Sequence, residues 1–282
     1  MLKHLTLTLF VFAWGCEVPE PTAERPPPDV KLFVFDCGRL VFDSIESFGI
    51  GDDETAVREL FVPCYLIEHP KGRLLWDAGL PSSLAEAHDW VTPAEGTRMK
   101  LTRTLAAQLG DMGIAIDDIG LVAFSHMHFD HVGAANELTN AQLLIQKVEY
   151  EAAFADPPTV PYFDPSLYNQ LADRPIMALK GDYDVFADGR VEIISAPGHT
   201  PGHQVLFVDL GNTGPIVLSG DLYHFAESRE LRRIPAFNFD AAQSFASIDK
   251  IEALLEERQA VLWIEHELAF NETLKKAPEY YD

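Results

Sequence analysis

The sequence predicts an α+β domain in which helices pack outside two central β-sheets, with a metal centre at one edge of those sheets. Short apolar runs of strand type fill both halves of the 282-residue chain, with helical segments between them. His126-Met127-His128-Phe129-Asp130-His131 sets three imidazoles and a carboxylate directly after one such run. His199, Asp221 and His266 each lie just beyond another.

In chain order, alternating Val and Phe predict a strand over 30–35, closed by Asp36-Cys37-Gly38. Strands over 61–68 and 73–76 flank a turn at His69-Pro70-Lys71-Gly72, and Asp77-Ala78-Gly79 leaves the sheet. Met99, Leu101, Leu105 and Leu109 have helical spacing and predict a helix over 97–109. The apolar run 119–124 reads as a buried strand that stops at Ser125. A short helix over 132–138, a strand over 142–145 and a helix over 148–154 follow. Residues 156–184 are irregular, aromatic and proline-bearing, as expected of an inserted lid. Strands are predicted over 191–195, 203–209 and 216–219. An amphipathic helix is predicted over 241–256, with Phe245, Ile248, Ile251 and Leu255 on one face, and a last strand over 260–264.

The N-terminus reads differently. Lys3 and His4 precede an apolar run over 5–14, which is far shorter than the roughly 20 residues that span a bilayer. Residues 1–16 therefore read as an export signal. Ala13-Trp14-Gly15-Cys16 resembles a bacterial lipoprotein processing site, which would tether the protein to a membrane through a lipidated Cys16. An ordinary cleaved signal, an uncleaved anchor and a chance apolar start are the alternatives. Pro19, Pro21, Pro26, Pro27 and Pro28 make 17–29 a stiff linker, so the folded domain is expected over 30–282. The expected location is outside the cytoplasm, periplasmic or membrane-anchored. There Cys37 and Cys64 could form a disulfide, although buried free thiols fit their positions equally.

A formal charge of −23 argues against nucleic-acid binding, which needs basic patches. It favours a neutral or cationic substrate. A buried polar group without a partner costs several kcal/mol, and a divalent cation supplies a partner to several at once. Any one of these His or Asp residues alone could be a cap or a surface group. Their recurrence at strand ends points to one metal-binding rim. Imidazole with carboxylate suits zinc, and iron, manganese or cobalt could also fit.

The pattern Ser125-His126-Met127-His128-Phe129-Asp130-His131, Pro197-Gly198-His199-Thr200-Pro201-Gly202-His203-Gln204, Gly220-Asp221 and a late His266 resembles the metallo-β-lactamase superfamily. Together with Phe33-Val34-Phe35-Asp36-Cys37-Gly38, it most resembles the N-acyl-homoserine lactonase family from about residue 30 onward. The resemblance implies an αββα sandwich with a dinuclear site at the sheet edge. It implies one metal held by His126, His128 and His199, a second by Asp130, His131 and His266, and Asp221 bridging the two. His203 would support the loop rather than bind metal. The implied reaction is opening of a lactone ring, N-acyl homoserine lactones above all, by a hydroxide shared between the metals, as in quorum quenching. Asp130 would shuttle the proton.

That family commonly places a Tyr three residues after the bridging Asp. Here the position holds His224, with Tyr223 one residue earlier, so either could take the role. Phe154, Tyr162, Phe163 and Tyr168 of the lid region could line an acyl-tail channel or belong to the core. The competing readings are a glyoxalase-II-like thioesterase, for which Lys275 and Lys276 could hold carboxylates, another ester hydrolase of the fold, and a non-catalytic metal-binding surface protein.

Overall fold

The computed structural model describes residues 27, 29–87 and 89–282. The expected signal over 1–16, its Cys16 and nearly all of the linker lie outside the described residues.

Eight strands form the first sheet: β1 (Lys31–Phe42), β2 (Glu59–His69), β3 (Gly72–Trp76), β4 (Val91–Ala94), β5 (Thr97–Lys100), β6 (Leu121–Ala123), β7 (Gln142–Gln146) and β8 (Ile176–Leu179). Their spatial order is β4-β5-β1-β2-β3-β6-β7-β8. Five strands form the second: β9 (Tyr183–Asp184), β10 (Val191–Ser195), β11 (Gln204–Leu210), β12 (Gly214–Leu218) and β13 (Val261–Trp263), in the order β13-β12-β11-β10-β9. The helices are α1 (Leu105–Asp111), α2 (Lys147–Ala153), α3 (Pro165–Tyr168), α4 (Ala226–Glu230), α5 (Ala241–Arg258) and α6 (Leu268–Thr273).

The period of two along a strand sorts the apolar side chains into layers. Leu32, Val34, Tyr65, Leu74 and Trp76 face Ile193, Leu206, Ile216, Leu218 and Trp263 in one core between the sheets. The alternate residues Phe33, Phe35, Leu66 and Leu75 pack outward against Leu105 and Leu109 of α1 and Ala152 and Ala153 of α2. On the other side, Ile194, Val205, Phe207 and Val217 meet Ile248, Ile251 and Leu255 of α5. Helices therefore cover both outer faces of the sheet pair.

Four expectations change. Residues 156–184 are not irregular throughout: they carry α3, then β8, which lies parallel to β7 at the edge of the first sheet, and β9, which pairs with β10 in the second. The first strand does not close at Asp36. A bulge between Asp36 and Arg39 carries β1 on to Phe42, where it pairs with both β2 and β5. Residues 97–109 are not one helix: 97–100 pair with β1 as β5, and α1 begins only after Thr104, whose side chain accepts the Ala107 N–H at 3.1 Å. The helix expected over 132–138 is a single 3-10 turn, Ala135–Glu137. Of the two fates open to Cys37 and Cys64, the structure shows the disulfide, which crosses from β1 to β2 with the Cα atoms 5.8 Å apart.

Two parallel pairings set up the site. β3 runs parallel to β6, and β12 runs parallel to β13, so in each sheet two neighbouring strands end side by side. Whatever follows these strands is gathered at one edge of the sandwich.

Candidate metal centre

Residues 125–131 follow β6, Asp221 lies in the turn after β12, His266 follows β13, and His199 sits on the turn between β10 and β11. Gly220 has φ +47°, and a Cβ there would come within 2.7 Å of His203 Nε2 and of Ser125 Cβ, so this turn needs glycine.

The structure brings all seven expected ligands together, each buried. One group holds His126, His128, His199 and Asp221, and the other holds Asp130, His131 and His266. In the first, His126 Nε2 lies 2.8 Å from His128 Nδ1, and His199 Nε2 lies 3.1 Å from His128 Nδ1 and 3.0 Å from Asp221 Oδ2. In the second, His266 Nε2 lies 3.3 Å from His131 Nε2, 3.6 Å from Asp130 Oδ2 and 3.0 Å from Asp221 Oδ1. The two oxygens of Asp221 thus face different groups, so this carboxylate could bridge two ions. Ligands about 2.0–2.1 Å from a zinc-like ion stand about 3.3 Å apart along a tetrahedron edge. The observed separations cluster around that value.

The tautomers fit the same purpose. Nδ1 of His131 donates to Asp77 Oδ2 at 2.8 Å, and Nδ1 of His266 donates to the Phe61 carbonyl at 2.6 Å. Nδ1 of His199 meets Asn238 Oδ1 at 2.9 Å, and Nδ1 of His126 meets Ser125 Oγ at 3.1 Å. Each ring thereby leaves its Nε2 as the atom free to bind a metal ion at the centre, which would displace any proton there. Ring nitrogens of different histidines facing one another at about 3 Å suit a cation between them. Asp221 Oδ1 is buried and has no hydrogen bond of its own.

Burial, reinforced by charge on His131, holds His126 well below the ordinary imidazole pKa; burial and His199 do the same for His128. Both are neutral, the form that binds metal. Burial also opposes charge on His266, but Asp221 and Asp130 outweigh it and lift that ring to about 9. The carboxylates of this half attract positive charge, which a divalent ion supplies.

Four supporting residues went unassigned in the sequence. Asp77, at the end of β3, accepts from Ser125 N at 2.6 Å, Ser125 Oγ at 2.9 Å and His131 Nδ1. Asn238 accepts from His199. Glu149 on α2 ties two ligand-bearing loops together, accepting from Met127 N at 3.0 Å and Gly202 N at 2.8 Å; burial raises its pKa to about 7. Glu265 accepts from Trp76 Nε1 at 3.0 Å and Gly220 N at 2.8 Å beneath the Asp221 turn. Asp77 and Glu265 obey the same strand-end rule as the ligands, which is the signal that identifies them. Glu149 and Asn238 carry no such signal.

The two candidates for the tyrosine role separate. Tyr223 is removed from the site: its hydroxyl donates to Glu252 Oε1 of α5 at 3.0 Å, on the far side of the turn. His224 faces the centre, with Nε2 3.1 Å from Asp221 Oδ2 and a buried Nδ1 that has no partner. The extended backbone of Tyr223 sends these neighbouring side chains opposite ways.

A cavity of about 860 Å³ opens onto Asp130, Asp221, His224 and His266. Its walls are mainly apolar, with Leu40, Phe48, Leu60, Met99, Phe129 and Phe237 among them. No Lys or Arg lines it among the described residues, whereas Asp43, Glu95 and Asp164 do. Lys275 and Lys276 are elsewhere; Lys276 Nζ donates to the Leu274 carbonyl at 3.1 Å.

Comparison with known proteins agrees with this architecture. Residues 57–261 match the family model of the metallo-beta-lactamase superfamily. The N-acyl homoserine lactonase AttM of Azorhizobium caulinodans is 31% identical over 267 residues, covering 90% of this chain and 99% of that protein. The N-acyl homoserine lactonase AiiA of Bacillus thuringiensis subsp. kurstaki is 29% identical over 255 residues, covering 89% and 98%. A solved N-acyl homoserine lactone hydrolase, with the product N-hexanoyl-L-homoserine at its catalytic metal centre, superimposes with a TM-score of 0.76 at 26% identity, covering 89% of this chain and 98% of that one. The chain belongs to the metallo-β-lactamase superfamily and, within it, to the family of the N-acyl homoserine lactonases.

Proposed function

We propose that the protein is a metal-dependent lactone hydrolase whose substrates are N-acyl homoserine lactones, and that it quenches signals of this type. The observation that carries the reading is the placement of Asp221, with one oxygen in each ligand group, at the floor of an apolar cavity. The relatives carry the name of this activity, and among the described residues no Lys or Arg lines the cavity to hold the carboxylates of a glutathione thioester.

His126, His128 and His199 would hold one divalent ion and Asp130, His131 and His266 the other, with Asp221 between them; the donor set favours zinc. Two such ions acidify a water and stabilise negative charge on the opening ester, so no serine or cysteine nucleophile is needed. Asp130 lines the cavity with Oδ2 turned to His131 and His266, and its remaining oxygen would pass a proton to the leaving alkoxide. His224 stands where the family has its tyrosine and holds Asp221 Oδ2. The net reaction adds one water across the ester and leaves a carboxylate and a free hydroxyl on one product.

Export fits this reading, because diffusible lactones are met outside the cytoplasm. The Cys37–Cys64 disulfide supports an oxidising compartment. Asp29 is ion-paired with Arg190, and in the sheet register Lys31 lies opposite Glu68, which lies opposite Arg73 at the start of β3. The centre lies past the other end of β3. Asp29 therefore lies at the end of the sandwich away from the centre.

The test is a substrate panel. The purified protein is expected to open N-acyl homoserine lactones, to stop on chelation, and to spare S-lactoylglutathione and cephalosporins. Cleavage of either of the last two in preference to the lactone would overturn the assignment.

A further inference from the structure

The four aromatic residues of the lid region have different fates. Phe154 and Tyr168 pack into the core, and Phe163 is buried with its ring 5.5 Å from that of His128. Tyr162 is 61% exposed. Its φ is +65°, a left-handed conformation that is costly for an aromatic residue. Such strain persists only where the surroundings fix it, and it gathers at ligand clamps. Here they do fix it. Val160 and Phe163 are buried on either side, the Phe163 backbone forms an antiparallel bridge with His128, and Asp164 Oδ1 accepts the Ser166 N–H at 2.9 Å. The held backbone turns the Tyr162 ring over the cavity, 5.8 Å from the His128 ring and 6.2 Å from that of Phe237. A large ring displayed to water beside the metal ligands is an unfilled contact.

We propose that Tyr162 is a specificity-determining residue whose ring covers the acyl-amide stem of the bound substrate, between the ester at the metal rim and the tail in the apolar cavity. This rests on the lactonase reading. The ring and stem remove each other from water, which favours acylated over bare lactones. The residue takes no part in the bond-breaking step, so its effect falls on KM.

The experiment compares N-hexanoyl-homoserine lactone with γ-butyrolactone, which has the ester ring and no acyl amide. In Tyr162→Ala the ratio of kcat/KM between the two is expected to fall about tenfold, through KM for the acylated substrate. Tyr162→Gly, which adopts the left-handed φ without strain, is expected to show the same fall in a fully folded protein, and Tyr162→Phe to restore the parent ratio. An unchanged ratio in the Ala and Gly variants, beside a parent that opens both lactones, overturns the role of Tyr162 alone. A parent that opens neither lactone overturns the functional reading and this proposal with it.

Discussion

His203 Nε2 accepts the backbone N–H of Asp221 at 2.9 Å, while its Nδ1 donates to the Ala196 carbonyl at 2.9 Å. A histidine that is not in the ligand groups thus fixes the peptide of the bridging carboxylate. Burial, with charge on His199 adding to it, pushes its pKa down to about 3, so the ring is neutral and held in this one tautomer. His203→Phe keeps the ring volume and deletes both bonds. It is expected to weaken metal binding by about 10–100-fold, read by competition against a chelator.

Asp77 plays the matching part for the other half of the centre. All three of its contacts come from donors, so Asp77→Asn turns an amide N–H₂ toward groups that need an acceptor. A loss of about 10–100-fold in metal affinity is expected, with kcat/KM falling in parallel. Metal titration followed by a rate assay at saturating metal separates the two effects.

Tyr223 and His224 predict opposite outcomes. Tyr223→Phe removes one bond to Glu252, far from the cavity. It should cost about 1 kcal/mol in unfolding free energy and leave turnover within about twofold of the parent. His224→Phe removes a polar group beside Asp221 and is expected to lower kcat about 10–100-fold. Steady-state kinetics on the two variants side by side check the assignment.

The disulfide joins residues 27 apart in sequence, and chain-entropy reasoning gives such a loop about 3–4 kcal/mol of stabilisation. The double variant Cys37→Ser, Cys64→Ser is expected to lose stability on this scale in denaturant unfolding, as is the parent under reducing conditions. The cross-link also backs onto the site: Leu80 N donates to the Cys37 carbonyl at 3.1 Å, directly after the loop that carries Asp77.

The ligand residues were legible because each follows a short apolar run, and a strand that stops abruptly at a His or Asp is a strong local signal. The two-sheet layering was legible from the alternation in stretches such as Leu32 to Phe35. What escaped depended on pairing partners far away in sequence. Residues 36–38 look like a strand end, yet β1 continues as a bulge because Leu40 and Val41 have partners on both β2 and β5. Met99 and Leu101 match a helical period by coincidence, while Thr104, the cap of α1, marks the true start. The four residues of β8 are too few to show a period, and their strand character comes from lying beside β7. The direction of Tyr223 was illegible because only the backbone at the turn decides which of two neighbours faces the centre.

The most direct test of the dinuclear centre is the metal content of active protein, followed with lactone turnover through a chelator titration. About two divalent ions per chain are expected, with turnover falling as they are removed and returning when they are restored. Full turnover in protein stripped of metal would contradict the account.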